Sequence, residues 1–252
     1  MRTSLKVFLI LLIGLSPTSF AADEWLKDEV LKELSELRQN NKALRGELDG
    51  LKQRLTELES NRGKEPPKKL EDLLGGKTPL GKDTAKIIVA EFTDYQCPFC
   101  KKFGLTTFPK LKRDYVDSGK VQYVVRDFPL AFHAEAKSAA VAALCAGQQQ
   151  RYWEMKTRLF EHQAEYGRPL YLRLAGELKL DAGRYGRCLN DPRMAEAVAR
   201  DVAYGNRLGV QATPTFIIGR VEGGEVRDVK AVSGAMAFEA FAGLLNPMMP
   251  PR

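Results

Sequence analysis

"TDYQCPFCKK", residues 93–102, places Cys97 and Cys100 two residues apart in a chain with only two further cysteines, Cys145 and Cys188. A zinc clip needs four ligands, usually a second close pair of Cys or His. The only histidines, His133 and His162, are far apart, and Cys145 and Cys188 are not closely spaced. A structural staple fails as well, because closing so short a loop removes little chain entropy and ties no distant elements together. A reactive dithiol is left. Pro98 suits the first helical position, so Cys97 falls at a helix N-terminus, where unpaired N–H groups and the macrodipole stabilise a thiolate. The expectation is an exposed, acidified nucleophile at Cys97 and a resolving thiol at Cys100, one turn further in, exchanging disulfides through a mixed disulfide. Copper(I) binding is a second chemistry open to soft thiolates. Two ligands with no Met or His cluster leave that site incomplete, so no metal and no other cofactor is assigned.

The flanking sequence reads as a mixed α/β layer. "KIIVAEF" (86–92) is a continuous β-branched run expected as a buried strand, and a helix follows from about Pro98 to Tyr115. "KVQYVVRDF" is a second strand, residues 132–206 carry helical spacing, and "TPTFIIG" and "VRDVKAVSG" are strands turned by "RVEGGE". "MAFEAFAGLLN" closes the chain as an amphipathic helix. The order β, α, β, helical block, β, β, α is a layered α/β structure with a helical insertion.

Further out, Val30, Leu34, Leu37, Asn41, Leu44, Leu48, Leu51, Leu55 and Leu58 recur at alternating spacings of four and three. Leu34, Asn41, Leu48 and Leu55 take heptad position a, and the others take d, the pattern of a coiled coil. In a parallel arrangement Glu33 meets Arg38, Glu47 meets Lys52 and Arg54 meets Glu59, and all three pairs attract. The leucine seam supplies most of the stability and the charges supply register. Asn41 at an a position favours a dimer, whereas "RLTELE" (54–59) resembles a trimer-favouring pattern, so both states stay open.

The first residues, "MRTSLKVFLILLIGLSPTSFAADEW", combine Arg2 and Lys6, an apolar run from Val7 to Leu15, and small residues at Ser19 and Ala21. This reads as a signal peptide cut after Ala21, since the apolar run is well short of the ~20 residues a spanning helix needs. The expected organisation is a signal peptide (1–21), a coiled-coil helix (22–61), a Pro- and Gly-rich linker (62–76) with a short helical turn at Leu70 to Leu74, and a globular domain (77–252) with its insertion at about 132–206. Export to a periplasmic or otherwise secreted location puts four cysteines where disulfides persist, and a structural bridge between Cys145 and Cys188 is expected. Lys and Arg total 39 against 32 for Asp and Glu, a net charge of +7. These charges are interspersed with no basic stripe and interleaved aromatics, which argues against nucleic-acid binding.

With these residues in place, "EFTDYQCPFCKKF", "VQATPTFIIG", "AVAALCAGQQQRYWEMKTRLF" and "VSGAMAFEAF" resemble the DsbA-like thiol:disulfide oxidoreductases over roughly residues 77–246. The resemblance implies a thioredoxin-like fold with a helical insertion. It implies that Thr213 and a cis Pro214 lie against Cys97, with the Thr213 backbone pairing with substrate. It also implies that Glu91 is a buried acid exchanging a proton as Cys100 reacts. Strongly oxidising members carry a His after the Pro, and this chain has Phe99, so one thiolate-stabilising donor is missing. His133 is expected to be structural. The reading is an oligomeric disulfide isomerase or reductase acting on exported proteins, with a membrane redox partner. Its alternative is a dithiol oxidase.

Overall fold

The computed structural model describes residues 19–62 and 66–249, so residues 1–18 of the expected signal peptide lie outside the described residues. The chain divides into two units that part between Glu59 and Ser60. No helix among the described residues is long and apolar enough to cross a membrane.

The first unit is α1, Ser19–Arg62, a single helix of 44 residues. At 1.5 Å per residue it extends about 66 Å. Its heptad leucines find no cover: Leu34, Leu37, Leu44, Leu48 and Leu51 are 44–62% exposed. Asn41 turns its amide back to the Leu37 carbonyl at 3.0 Å. Leu55 and Leu58 lie on the same helix, with side chains outside the described set.

In the second unit a four-stranded sheet runs in the order β2-β1-β3-β4, from β1 (Ile87–Thr93), β2 (Val121–Asp127), β3 (Thr215–Glu222) and β4 (Glu225–Ser233). β1 is parallel to β2 and antiparallel to β3, and β3 is antiparallel to β4. Gly223 and Gly224, with φ of 58° and 82°, make the two-residue turn between β3 and β4, since that hairpin needs positive φ at both positions. The turn is therefore tighter than "RVEGGE" suggested, and Arg220 to Glu222 remain in the strand.

The helix after β1 begins as α3 (Pro98–Lys102), widens at Phe103–Thr107, resumes as α4 (Phe108–Leu111), and widens again to Val116. Pro109 explains the first widening, because it lacks an N–H and its ring crowds the carbonyl one turn back. The next N–H, of Phe108, reaches the Phe103 carbonyl instead. Five helices make the insertion: α5 (Ala136–Gly147), α6 (Tyr152–Glu161), α7 (Arg168–Glu177), α8 (Ala182–Leu189) and α9 (Pro192–Arg207). A disulfide joins Cys145 of α5 to Cys188 of α8 across a sequence separation of 43. Closing a loop of that length stabilises the fold by roughly 4 kcal/mol on the chain-entropy account.

One sheet face packs Val89, Tyr123, Phe216 and Ile218 against Phe103, Leu111 and, from α10 (Phe238–Leu245), Phe241. The other packs Ile88, Ala90 and Phe92 against Tyr204 of α9 and Leu73. Leu73 belongs to α2 (Leu70–Leu74), inside the stretch expected as linker. That stretch is bound into this unit from Lys68 onward: Val226 donates to the Lys68 carbonyl and Leu70 to that of Gly224, each at 2.9 Å. Its prolines and glycines suggested a free connector. The apolar Leu70, Leu73 and Leu74, seated on the sheet, decide otherwise. A third cluster, built from the insertion helices, includes Tyr95, Cys97 and Cys100. The dithiol thus sits where the insertion meets the start of α3.

Candidate active site

β1 ends at Thr93, and the next six residues carry the chain into α3. Asp94 organises this turn. Its Oδ1 accepts from the backbone N–H of Gln96 (2.7 Å) and Cys97 (3.1 Å), and its Oδ2 accepts from the Leu130 N–H (2.7 Å). Nδ1 of His133 lies 2.8 Å from the same Oδ2, so His133 is a brace for Asp94. The insertion clamps the loop from the far side. Gln163 Nε2 donates to the carbonyls of Tyr95 (2.6 Å) and Cys97 (3.1 Å), and the Tyr166 hydroxyl donates to that of Tyr95 (2.8 Å).

Cys97 is the N-cap of α3 with Pro98 following it. It is not exposed as anticipated: the residue is only 4% accessible. The reason is tertiary, because the Thr213–Pro214 loop, with a cis peptide bond, closes over it and Cys97 Sγ meets the Thr213 carbonyl at 3.2 Å. The Cys97 thiol is lowered from about 9.0 to about 5. The Cys100 thiol's hydrogen bond is the largest cause, Thr213 and the backbone N–H groups of Cys100 and Phe99 add to it, and burial opposes. Cys100 is fully buried, and burial, then its bond to Cys97, pushes its thiol up. The Asp94 N–H donates to its sulfur at 3.4 Å. One sulfur is therefore poised as thiolate and the other held as thiol, the division of labour an exchange reaction requires. Phe99 between them is 60% exposed and offers the thiolate no side-chain donor.

The Thr213 hydroxyl is buried with no hydrogen-bond partner, beside a sulfur that accepts a donor only once it is ionised. Thr213→Val should therefore raise the Cys97 pKa by roughly one unit, the worth of one hydrogen bond to a charged group. An ultraviolet titration of thiolate absorbance reads the shift. An unmoved midpoint would assign the acidity to Cys100 and the backbone alone.

Glu91 lies on β1, an inner strand, and is fully buried. Its Oε2 accepts from the Tyr123 hydroxyl (2.8 Å) and Lys156 Nζ (2.6 Å), while Oε1 has no partner. Lys156, on α6, is 3% exposed and sits 5.3–5.9 Å from the ring centres of Phe108, Trp153 and Phe160. The sequence held one signal for it: a lysine on the apolar face that Met155, Leu159 and Phe160 define in "YWEMKTRLF". Asp94, Gln163 and Tyr166 were also missed. Only Asp94 left a trace, as an Asp three residues ahead of a helix-starting Cys-Pro, where a side-chain oxygen caps the first turn. Among the described residues no group of three His, Cys, Asp or Glu side chains could hold a metal ion.

A family model described as thioredoxin matches residues 74–237. Disulfide bond formation protein D of Bacillus subtilis is 30% identical over 154 residues, covering 57% of this chain and 68% of that protein. The Na(+)/H(+) antiporter NhaA 3 of Salinispora tropica is 35% identical over 169 residues, covering 66% of this chain. The chain spans only 25% of that antiporter's length. Among solved structures, alpha-DsbA1 of Wolbachia pipientis shares 26% identity at a TM-score of 0.59, covering 68% of this chain and 89% of the other.

Proposed function

From the premise that the chain belongs to the thioredoxin family as a DsbA-like member, we propose that it is an exported thiol:disulfide oxidoreductase, working as an oligomeric disulfide isomerase or reductase. The observation that carries the chemistry is the acidified Cys97 sulfur against the Thr213 carbonyl of the cis-proline loop. Cys97 attacks a substrate disulfide, and Cys100 resolves the mixed disulfide or leaves the substrate to rearrange. The Thr213 backbone would pair with an extended substrate, and Glu91 would exchange the proton of Cys100.

The direction rests on α1. A long helix with an uncovered leucine stripe is marginal alone in water, and its heptads and g-to-e charge pairs suit a second or third parallel copy. Joining several dithiols this way raises the effective concentration of one near a substrate held by another, which serves rearrangement more than simple oxidation. The alternative, an oxidase that introduces disulfides, is favoured by the printed name of the Bacillus relative, a disulfide bond formation protein. Substrates are exported proteins with thiols or disulfides, and a membrane redox partner would reset the dithiol.

Removal of residues 23–61 separates the two directions. The expected product is a monomer by analytical ultracentrifugation that still oxidises a reduced peptide but refolds scrambled ribonuclease at least tenfold more slowly, on the order of the avidity lost. Undiminished refolding by a monomer would move the assignment to the oxidase.

A further inference from the structure

Three side-chain oxygens beneath the dithiol are buried without a hydrogen-bond partner: Glu91 Oε1, Thr93 Oγ1 and Asp127 Oδ1. The strand register brings them together. Glu91 and Thr93 are two residues apart on β1 and so share a face, and Thr93 is the register partner of Asp127 on β2. Each residue is at most 1% exposed. Buried polar groups almost always find partners, and each failure costs about 1–3 kcal/mol. Three in adjacent positions indicate groups that need free lone pairs for traffic rather than for packing.

The two acids share an electrostatic surrounding. Lys156, which holds Glu91, also acts on Asp127. Tyr95 and Tyr152, whose hydroxyls lie 3.3 Å apart, feel both carboxylates. Asp127 also has an outward side. Its Oδ2 accepts from Lys77 Nζ at 3.1 Å, and Lys77 also pairs with Asp201 of α9. Lys77, Asp201 and Tyr152 line a cleft of about 1100 Å³, and the Lys77 side chain is 21% exposed there. Burial holds the Asp127 carboxyl above its ordinary range, against the pull of Lys77, so it takes up a proton more readily than a free aspartate.

We propose that Asp127 is a relay carboxyl, passing the Cys100 proton between Glu91 and the Lys77–Asp201 cleft by way of the Thr93 hydroxyl. This rests on the exchange chemistry proposed above. In the resolving step the Cys100 thiol gives its proton to Glu91 Oε1, the oxygen left open while Tyr123 and Lys156 occupy the other. The Cys100 thiolate then attacks the Cys97 sulfur, the Cys97–substrate S–S bond breaks, and the substrate sulfur leaves with the electron pair as a thiolate. Glu91 donates to Thr93 Oγ1 while Thr93 hands its own proton to Asp127 Oδ1, and Asp127 releases it at the cleft. The charged groups facing Asp127 are Lys77 from the segment before β1, Asp201 from α9 and Lys156 from α6, with Glu91 beyond Thr93.

The test uses the full chain, poised between dithiol and disulfide in a glutathione buffer and compared by difference infrared spectroscopy, with the pH profile of mixed-disulfide resolution measured in parallel. Two carboxyl bands should change between the states, Glu91→Gln removing one and Asp127→Asn the other. Asp127→Asn should slow resolution on the order of tenfold and alter the profile, less than the 10²–10⁴ of a group at the reacting atom. Thr93→Val keeps both acids and should slow the step comparably. A folded Asp127→Asn chain with wild-type bands and profile overturns the proposal. If that variant does not fold, an undiminished rate in Thr93→Val overturns it. A wild-type chain that glutathione never converts between dithiol and disulfide overturns instead the exchange reading beneath it.

Discussion

Cys97→Ser should reduce disulfide exchange to background in both insulin reduction and scrambled-ribonuclease refolding, while Cys100→Ser should still attack substrate and accumulate the mixed disulfide. The asymmetry follows from the thiols themselves: Cys97 is lowered to about 5 and Cys100 is pushed up in a fully buried position. Lowering Cys97 from 9.0 to about 5 raises its thiolate fraction at pH 7 roughly a hundredfold, but the weaker nucleophilicity of an acidic thiolate costs about 40- to 100-fold over the same span. The two nearly cancel in the attack rate. What survives is Cys97 as a leaving group, so its bond to a substrate or to Cys100 breaks easily and the reduced form is favoured. In the reduced protein the depressed thiol stabilises the fold fully above about pH 9, and that contribution is lost as pH falls through about 5. Alkylation of Cys97 across this range should be flat at neutral pH and fall below about 5. Full activity of Cys97→Ser would end the enzyme reading.

Lys156→Met carries the second large effect. It leaves Glu91 buried on an inner strand with a tyrosine hydroxyl as its remaining partner, and breaking such a pair costs about 3–5 kcal/mol. Lys156 also leaves a box of three aromatic rings, which a methionine fills with little change in volume. The cost is therefore electrostatic, and the double variant Glu91→Gln, Lys156→Met should recover much of it. Chemical denaturation of the oxidised forms measures both. Equal stability of the single and double variants would place the loss in packing. Because α6 belongs to the insertion, its detachment from Glu91 should also slow resolution by Cys100.

The parts that could be read from the chain are those set by local chemistry. A two-residue cysteine spacing with Pro98 between fixes a helix start at Cys97, and β-branched runs at Ile87 to Val89 and Val121 to Val125 fix two strands, since each depends only on neighbours in sequence. The heptad from Val30 to Leu58 is legible for the same reason, and α1 covers it without a break. The limits of that legibility are instructive. Lys68 to Leu74 read as linker because prolines and glycines flank them, but their place is decided by the edge of β4 and the sheet face they cover. Asp94 has four partners spread between Gln96 and His133, and only the first two are near enough in sequence to be guessed.

By itself the sequence determined that this protein has a reactive dithiol at a helix N-terminus, an α/β layer with a helical insertion, and a heptad helix ahead of it. The tertiary structure decided what the dithiol faces. Cys97 is covered because residues 116 positions downstream fold over it, and Glu91 is charge-paired because a lysine 65 residues away points back to the sheet. Thr93 meets Asp127 because two strands run parallel in one register. Local spacing sets which groups can react. Burial and partnership, which set where their protons rest, arise only when distant segments close around them.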